Sequence, residues 1–468
     1  MRVSASTPTV AARRIRQRES FAASASAQEQ RSRDQPERAA KRGLSALIVL
    51  FLCSLAIPWI IDIGPLRMSV YRFVLIAALL PCLVIWINGK AGRIRVADVS
   101  LLLFCLWCFV SLAIVHGLGY SLQSAGITFI ETMCPFLLGR CLIRNADDFH
   151  VAARVLFVVV LLLLPFAAYE SFTGHNLLLQ MFATVMSSFP DYAMRPRWGL
   201  RRVQAVFEHP ILFGVFCCSA FSLTHLVLGY GKSMASRWTK TGVVAAAVFL
   251  SLSSGPISAM ALQGLLIFWN WLLRGIEIRW KILYGGFAGV YMTISLLSNQ
   301  SVPEFYVHYF AFSQDTGWDR LFIWQYGTAS VAAHPLFGIG YNDYVRPEWM
   351  EPSIDMFWLI NFVRFGIPGG VLMLLAFWSV FLSLAFKRGL DDRCATYRMA
   401  HLLTMTGLFV AGWAVHFWFA PYVLFLFLLG GGVWLLDTPE GSPSHAGARP
   451  PARRPAARRR TVASSRFT

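Results

Sequence analysis

The stretch Val151-Ala-Ala-Arg-Val-Leu-Phe-Val-Val-Val-Leu-Leu-Leu-Leu-Pro-Phe-Ala-Ala-Tyr-Glu170 decides the fold class. Its 20 residues hold charge only at Arg154 and Glu170, and about 20 apolar residues are what a helix needs to cross a bilayer. Comparable apolar segments fall at about 43–62, 70–88, 99–116, 120–139, 206–229, 242–255, 256–273, 281–298, 354–386, 399–415 and 417–436. Each except 242–255 is long enough for a span. The run Ser251-Leu-Ser-Ser-Gly-Pro256 breaks the stretch 242–274 in the middle. Gly and Pro free backbone groups there, which neighbouring serines can help satisfy. Two short helices meeting near the outer surface are therefore expected.

Composition agrees. Of 468 residues, 56% are apolar and only 14% charged, against about 25% charged in a soluble domain. The expectation is an all-α, polytopic integral membrane protein with about twelve transmembrane helices over residues 43–436.

Charge gives the orientation. Residues 1–42 carry ten Lys/Arg against four Asp/Glu, and 437–468 carry seven Arg against two acids. These tails read as disordered and cytoplasmic, because a basic excess beside a span marks the retained side. Anionic lipid headgroups are their expected neighbours. No aromatic residues are interleaved with the arginines, so nucleic-acid binding is not expected. Twelve spans place both termini inside and leave two long outward loops, roughly 171–205 and 299–353. The first breaks the charge rule, with Arg195, Arg197, Arg201 and Arg202 on the side where arginine is scarce.

Nine cysteines supply no disulfide framework or metal site. Cys105 and Cys108 form a C-x-x-C inside an apolar run, which reads as packing.

Three constellations could carry chemistry. In Arg201-Arg-Val-Gln-Ala-Val-Phe-Glu-His-Pro210, a proline suits a helix start, and a helix start with Arg202 upstream is a plausible diphosphate cradle. His209 could equally be a cap or a packing residue. In Asp319-Arg-Leu-Phe-Ile-Trp324, Arg320 has the planar fork that suits phosphate, with an Asp319/Arg320 surface pair as the plainer reading. His334-Pro-Leu-Phe-Gly-Ile-Gly340 follows, and Gly338 and Gly340 permit close backbone approach. In the third, Asp355 stands at the mouth of a span with Arg364 nine residues deeper, on the order of 13 Å along a helix axis. Asp355 could be an N-cap, and Arg364 could pair with Glu131 on another helix. An ionisable group within a span is functional by default.

In this order, the three constellations resemble the O-antigen polymerase and O-antigen ligase family of bacterial envelope glycosyltransferases, which are GT-C-like. The family pattern is matched by Arg202 with His209-Pro210, Arg320 with Trp324, Pro335-Leu-Phe-Gly-Ile-Gly340, and Asp355 with Gly366-Ile-Pro-Gly369. The Ser-Gly-Pro of 254–256 and Gly139-Arg140 also fit, and the matched stretch covers about 120–385. Ligase-like members carry His-Asn where this chain has Asp355-Met356. Asp there looks like a polymerase-like or exopolysaccharide-linked branch.

The resemblance implies a bacterial inner-membrane enzyme whose donor is an undecaprenyl-diphosphate-linked oligosaccharide on the periplasmic side. Asp355, Arg320 and Arg202 would be catalytic. Arg201, His209, Trp324, His334, Gly338, Gly340 and Arg364 would bind substrate. No cofactor is implied, and the long loops hold no D-x-D motif, so no metal is expected. Implied partners are membrane lipids, a chain-length regulator and other polysaccharide export proteins. Alternatives are a ligase acting on a lipid or protein acceptor, a transporter or flippase of lipid-linked sugars, and a non-catalytic assembly subunit. Transporters show internal repeats, and none is visible here.

Overall fold

The computed structural model describes residues 46–64, 66–192, 194–310 and 314–439. Apart from 437–439, the two basic tails lie outside the described residues.

A short helix α1 (46–54) leads into an antiparallel hairpin of β1 (Ile60–Ile63) and β2 (Leu66–Ser69), with Ile60 opposite Ser69 and Ile63 opposite Leu66. The described residues are mostly helical outside this hairpin, and the described part of segment 43–62 is helical over 46–54 before it turns into β1.

The helices that follow are α2 (Val70–Ile87), α3 (Val96–His116), α4 (Leu118–Leu142), α5 (Ala146–Thr173), α6 (Leu177–Ala183) and α7 (Pro210–Ser219). A π-helical turn, Leu223–Val227, extends α7. Next come α8 (Met234–Leu250), α9 (Ser254–Leu272), α10 (Arg279–Leu297), α11 (Val302–Phe310) and α12 (Gln314–Ala333). The last are α13 (Phe357–Phe386), α14 (Asp392–Ala411), α15 (Ala420–Gly431) and α16 (Trp434–Asp437).

Among the described residues, seven stretches are long and apolar enough to cross a membrane: α2, α3, α4, α5, Pro210–Val227, α13 and Ala420–Asp437. This is a membrane-spanning helical protein. The expected segments at 242–255, 256–273, 281–298 and 399–415 fall on α8, α9, α10 and α14, which are shorter or more polar. Of the expected loops, 171–205 is mostly irregular and holds only the short α6, whereas 299–353 holds α11 and α12.

The core forms where α4 meets α15, with α3 between α4 and α13. Backbones touch there because Gly139 and Gly430 lack side chains. A Cβ on Gly139 would strike the Phe427 carbonyl, and one on Gly430 would strike that of Phe136. At one end of α4, Arg140 is 0% exposed. It donates to the carbonyls of Ala91 and Arg93 and faces Asp98 at 3.5 Å and Asp437 at 3.4 Å. A buried guanidinium needs this satisfaction, because an unpaired buried charge is expensive.

Two helix breaks shape the region holding the constellations, and in both the freed backbone groups find partners. In α13 the break is Gly366, at φ 71° and ψ −176°, a conformation that is essentially glycine-only. The Val363 and Arg364 carbonyls accept from Ile339 and Gly340 N–H, both at 2.9 Å. The Phe365 carbonyl accepts from Trp107 Nε1 at 2.8 Å. Ile367 N–H donates to the Pro335 carbonyl at 2.7 Å. The Pro335–Gly340 turn is thus a splint against broken α13.

The second break separates α8 from α9 at 251–253, as the Ser/Gly/Pro run implied. Here the Leu250 carbonyl accepts from Val203 N–H at 3.1 Å, and the Leu252 carbonyl accepts from Arg197 Nη1 at 2.8 Å.

Candidate functional site

The chain segment 197–205 is clamped before it reaches α7. Glu170, at the end of α5, accepts from Gln204 and Ala205 N–H, one bond per carboxylate oxygen, each at 3.0 Å. Arg201 and Arg202 consequently face different neighbours. Arg201 is paired with Asp191, faces Glu170 at 3.8 Å and donates to the Gly174 carbonyl. Those partners occupy it in holding the loop.

Arg202 turns instead to the α8–α9 break, where Nη2 donates to Ser253 Oγ at 3.1 Å. Its Nε is buried with no hydrogen-bond partner among the described residues. Burial, with Arg197 beside it, lowers the Arg202 guanidinium to about 10, so it stays charged at neutral pH.

His209 is the N-cap of α7. Its Nδ1 accepts from Ile211 N–H at 3.1 Å, so the capping alternative is realised. The neutral ring then carries its proton on Nε2 and keeps a donor. Burial, and then Arg202, lower the His209 imidazole to about 4, while Asp355 pulls the other way. His209 therefore senses residues from the first and third constellations at once. Beside it, Glu208 accepts from Trp418 Nε1 at 2.5 Å.

The second and third constellations meet directly. Arg320 Nη2 donates to Asp355 Oδ2 at 3.0 Å, and its Nε donates to the Ala414 carbonyl at 2.9 Å. Arg320 thus pairs with Asp355, not with its neighbour Asp319. Asp355 precedes Met356, the N-cap of α13, so the N-cap reading of Asp355 is not realised.

Cavities flank this ion pair on two sides. A groove of about 400 Å³ runs between α9, α11, α12 and α14, and is lined by Tyr306, Val307, Leu321, Trp324, Val410 and Trp413, with Arg320 in its wall. Trp324 stands edge-on to Trp413 at 5.9 Å. A cleft of about 480 Å³ lies on the other side, with Asp355, Glu208, Asp343, Asn342, His416 and Arg364 among its lining residues. One cavity is therefore mostly apolar and the other about half polar, and the Arg320–Asp355 pair joins them.

The remaining expected residues are placed differently. Gly338 (φ 64°) and Gly340 (φ 62°) do permit close backbone approach. A Cβ on Gly338 would strike Arg364 backbone, and one on Gly340 would strike His116. Their closeness serves the α13 break, although Gly340 also lines the polar cleft. His334 is exposed and lines neither cavity. Glu131 does not pair with Arg364. It faces Arg72 at 2.9 Å and accepts from Tyr71. Arg364 instead lies over the Tyr341 ring at 5.0 Å.

Sequence reading missed Glu170, Arg197, Tyr341 and His416. Glu170 and His416 had a visible signal, an ionisable group at or between apolar runs. Arg197 was noted only as one of several outward arginines. Compared with models of known protein families and with curated proteins, the chain matches none.

Proposed function

We propose that this chain is a bacterial surface polysaccharide polymerase. It joins undecaprenyl-diphosphate-linked repeat units at the periplasmic face of the inner membrane. The observation that carries the reading is the placement of the Arg320–Asp355 pair between an apolar groove and a polar cleft. A lipid-linked sugar has that same polarity: a greasy tail, a charged diphosphate, then hydroxyl-rich rings.

In this reading the polyprenyl chain lies along the Trp324 groove, with the diphosphate at Arg320 and Arg202 and the glycan in the cleft. Asp355 accepts the proton of the attacking sugar hydroxyl. The hydroxyl oxygen bonds to the anomeric carbon as that carbon's bond to the diphosphate oxygen breaks. The electron pair leaves with undecaprenyl diphosphate. Guanidinium groups stabilise the charge that builds on the leaving oxygen, in the role a metal fills elsewhere. A single displacement inverts the anomeric centre. His209, neutral and capping α7, offers its Nε2 proton to a phosphate or sugar oxygen.

The topology that goes with this is twelve spans with both termini cytoplasmic, as the loop charges favour. The repeat-unit ladder of a deletion strain tests the reading. Polymerase function requires loss of long chains with one repeat still attached. Loss of every attached glycan, with free lipid-linked polymer accumulating, would make the protein a ligase. Repeat units trapped inside the cell would make it a flippase.

A further inference from the structure

Arg364 is a cation with no carboxylate beside it. Among the described residues none lies within ion-pairing distance of its guanidinium, and its one named contact is the Tyr341 ring. The side chain is nevertheless held in place. Its own carbonyl accepts from Gly340 N–H, and the next residue but one is the α13 break. Tyr341 is fixed in turn, since its N–H donates to His116 Nε2 at 2.9 Å and its ring meets Tyr120 edge-on at 6.2 Å. A guanidinium is seldom left without an anion at membrane depth, where charge is costly.

Arg364 also stands between two cavities. It lines the polar cleft that holds Asp355, and an inner cavity of about 240 Å³ lined by Ser124, Thr128, Glu131, Asn361, Trp418 and Tyr422 among others. Hydroxyl and amide groups with flanking aromatic faces suit a sugar ring. Glu131 brings no free charge, being neutralised by Arg72.

We infer that Arg364 is the receptor for the carboxylate of an acidic sugar, so the glycan handled in this cleft carries a uronate or a carboxylate-bearing substituent. This rests on the polymerase reading and names its substrate class. A carboxylate fits better than a second diphosphate. One guanidinium balances one negative charge, and its planar fork matches a carboxylate's two oxygens. A diphosphate would bring more charge than Arg364 can offset. The apolar groove that a lipid tail needs meets Arg320, not Arg364. Asp355 and Arg364 line one cleft without touching, so the acidic ring neighbours the reacting ring.

The test is calorimetric binding to the purified full-length protein in lipid nanodiscs. The probes are a soluble uronic-acid oligosaccharide and its carboxyl-reduced counterpart. The wild type is expected to bind the acidic form at least about tenfold more tightly, the size of one lost charge-assisted contact. Arg364→Gln should erase that preference, and Arg364→Lys should keep part of it. Equal wild-type affinity for the two probes overturns the inference and needs no variant. So does a preference that survives in Arg364→Gln, or inorganic pyrophosphate that displaces the oligosaccharide from wild type and binds Arg364→Gln far more weakly. Arg320→Ala keeps the preference if the inference holds. Polymer made by Arg320→Ala would remove the polymerase reading while leaving the Arg364 result intact.

Discussion

Arg320 Nη2 and Asp355 Oδ2 lie 3.0 Å apart, tying α12 to the entrance of α13 across 35 positions of chain. The contact brings together two constellations whose separation in sequence gave no reason for them to touch. In the proposed function it also sets the chemistry. A carboxylate that holds a guanidinium can pass it to an incoming phosphate and become free to take a proton.

Arg320→Ala and Asp355→Asn should therefore remove activity without removing the fold. The two side chains are 16% and 26% exposed, and partly solvated pairs contribute about 0–1 kcal/mol. Thermal melting in detergent should stay within a few degrees of wild type. Elongation should fall by roughly 10²–10³ for the lost oxyanion donor and 10²–10⁴ for the lost base. Polymer ladders measure it. Arg320→Lys should recover only part, since lysine lacks the planar fork.

His209 makes stability pH-dependent. Its folded-state value of about 4 lies below the unfolded value near 6.5. Between them the unfolded chain binds more protons, so stability rises with pH there. The contribution is present above about pH 6.5 and is lost as the pH falls toward 4. His209→Gln keeps an acceptor for Ile211 N–H and loses the titration. Its melting temperature should be near wild type at pH 7.5 and above wild type at pH 5.

The α13 break should tolerate no side chain. Gly366→Ala places a Cβ against the Leu336 carbonyl and forces an L-residue into a conformation costing about 1–3 kcal/mol before any clash. A lower melting temperature and loss of polymer are both expected, because the splint carries Arg364 with it. Gly285→Ala, where a Cβ meets open space, is the matched control and should leave both unchanged.

Arg140 is a stability residue far from the site. Arg140→Met leaves Asp98, also 0% exposed, facing an apolar group. Breaking a buried pair from one side costs about 3–5 kcal/mol. Yield and melting temperature of Arg140→Met should drop sharply. In the double variant with Asp98→Asn they should recover in part.

The membrane class was legible because apolar runs of span length have no other use, and the α8–α9 break was legible in its Ser/Gly/Pro run. The Ile60–Ser69 hairpin was not, since a short apolar run fits a strand as well as a helix. Arg201 and Arg202 are neighbours in sequence, and both read toward the substrate. Only the Glu170 clamp decides that one holds the loop and the other the α8–α9 break. Gly338 and Gly340 announced close approach but could not say of what, and the neighbours are the α13 backbone for Gly338 and the His116 ring for Gly340. Glu131 stood open as a possible partner for Arg364 because sequence cannot reveal that Arg72 already holds it.

The central claim is that Arg320 and Asp355 carry out glycosyl transfer from a diphosphate-linked donor. Its most direct measurement uses purified protein in liposomes with undecaprenyl-diphosphate-linked repeat units, following release of undecaprenyl diphosphate. Wild type should release one carrier per new glycosidic bond, and folded Arg320→Ala and Asp355→Asn should be at least about 100-fold slower. Release by both variants at the wild-type rate would contradict the account.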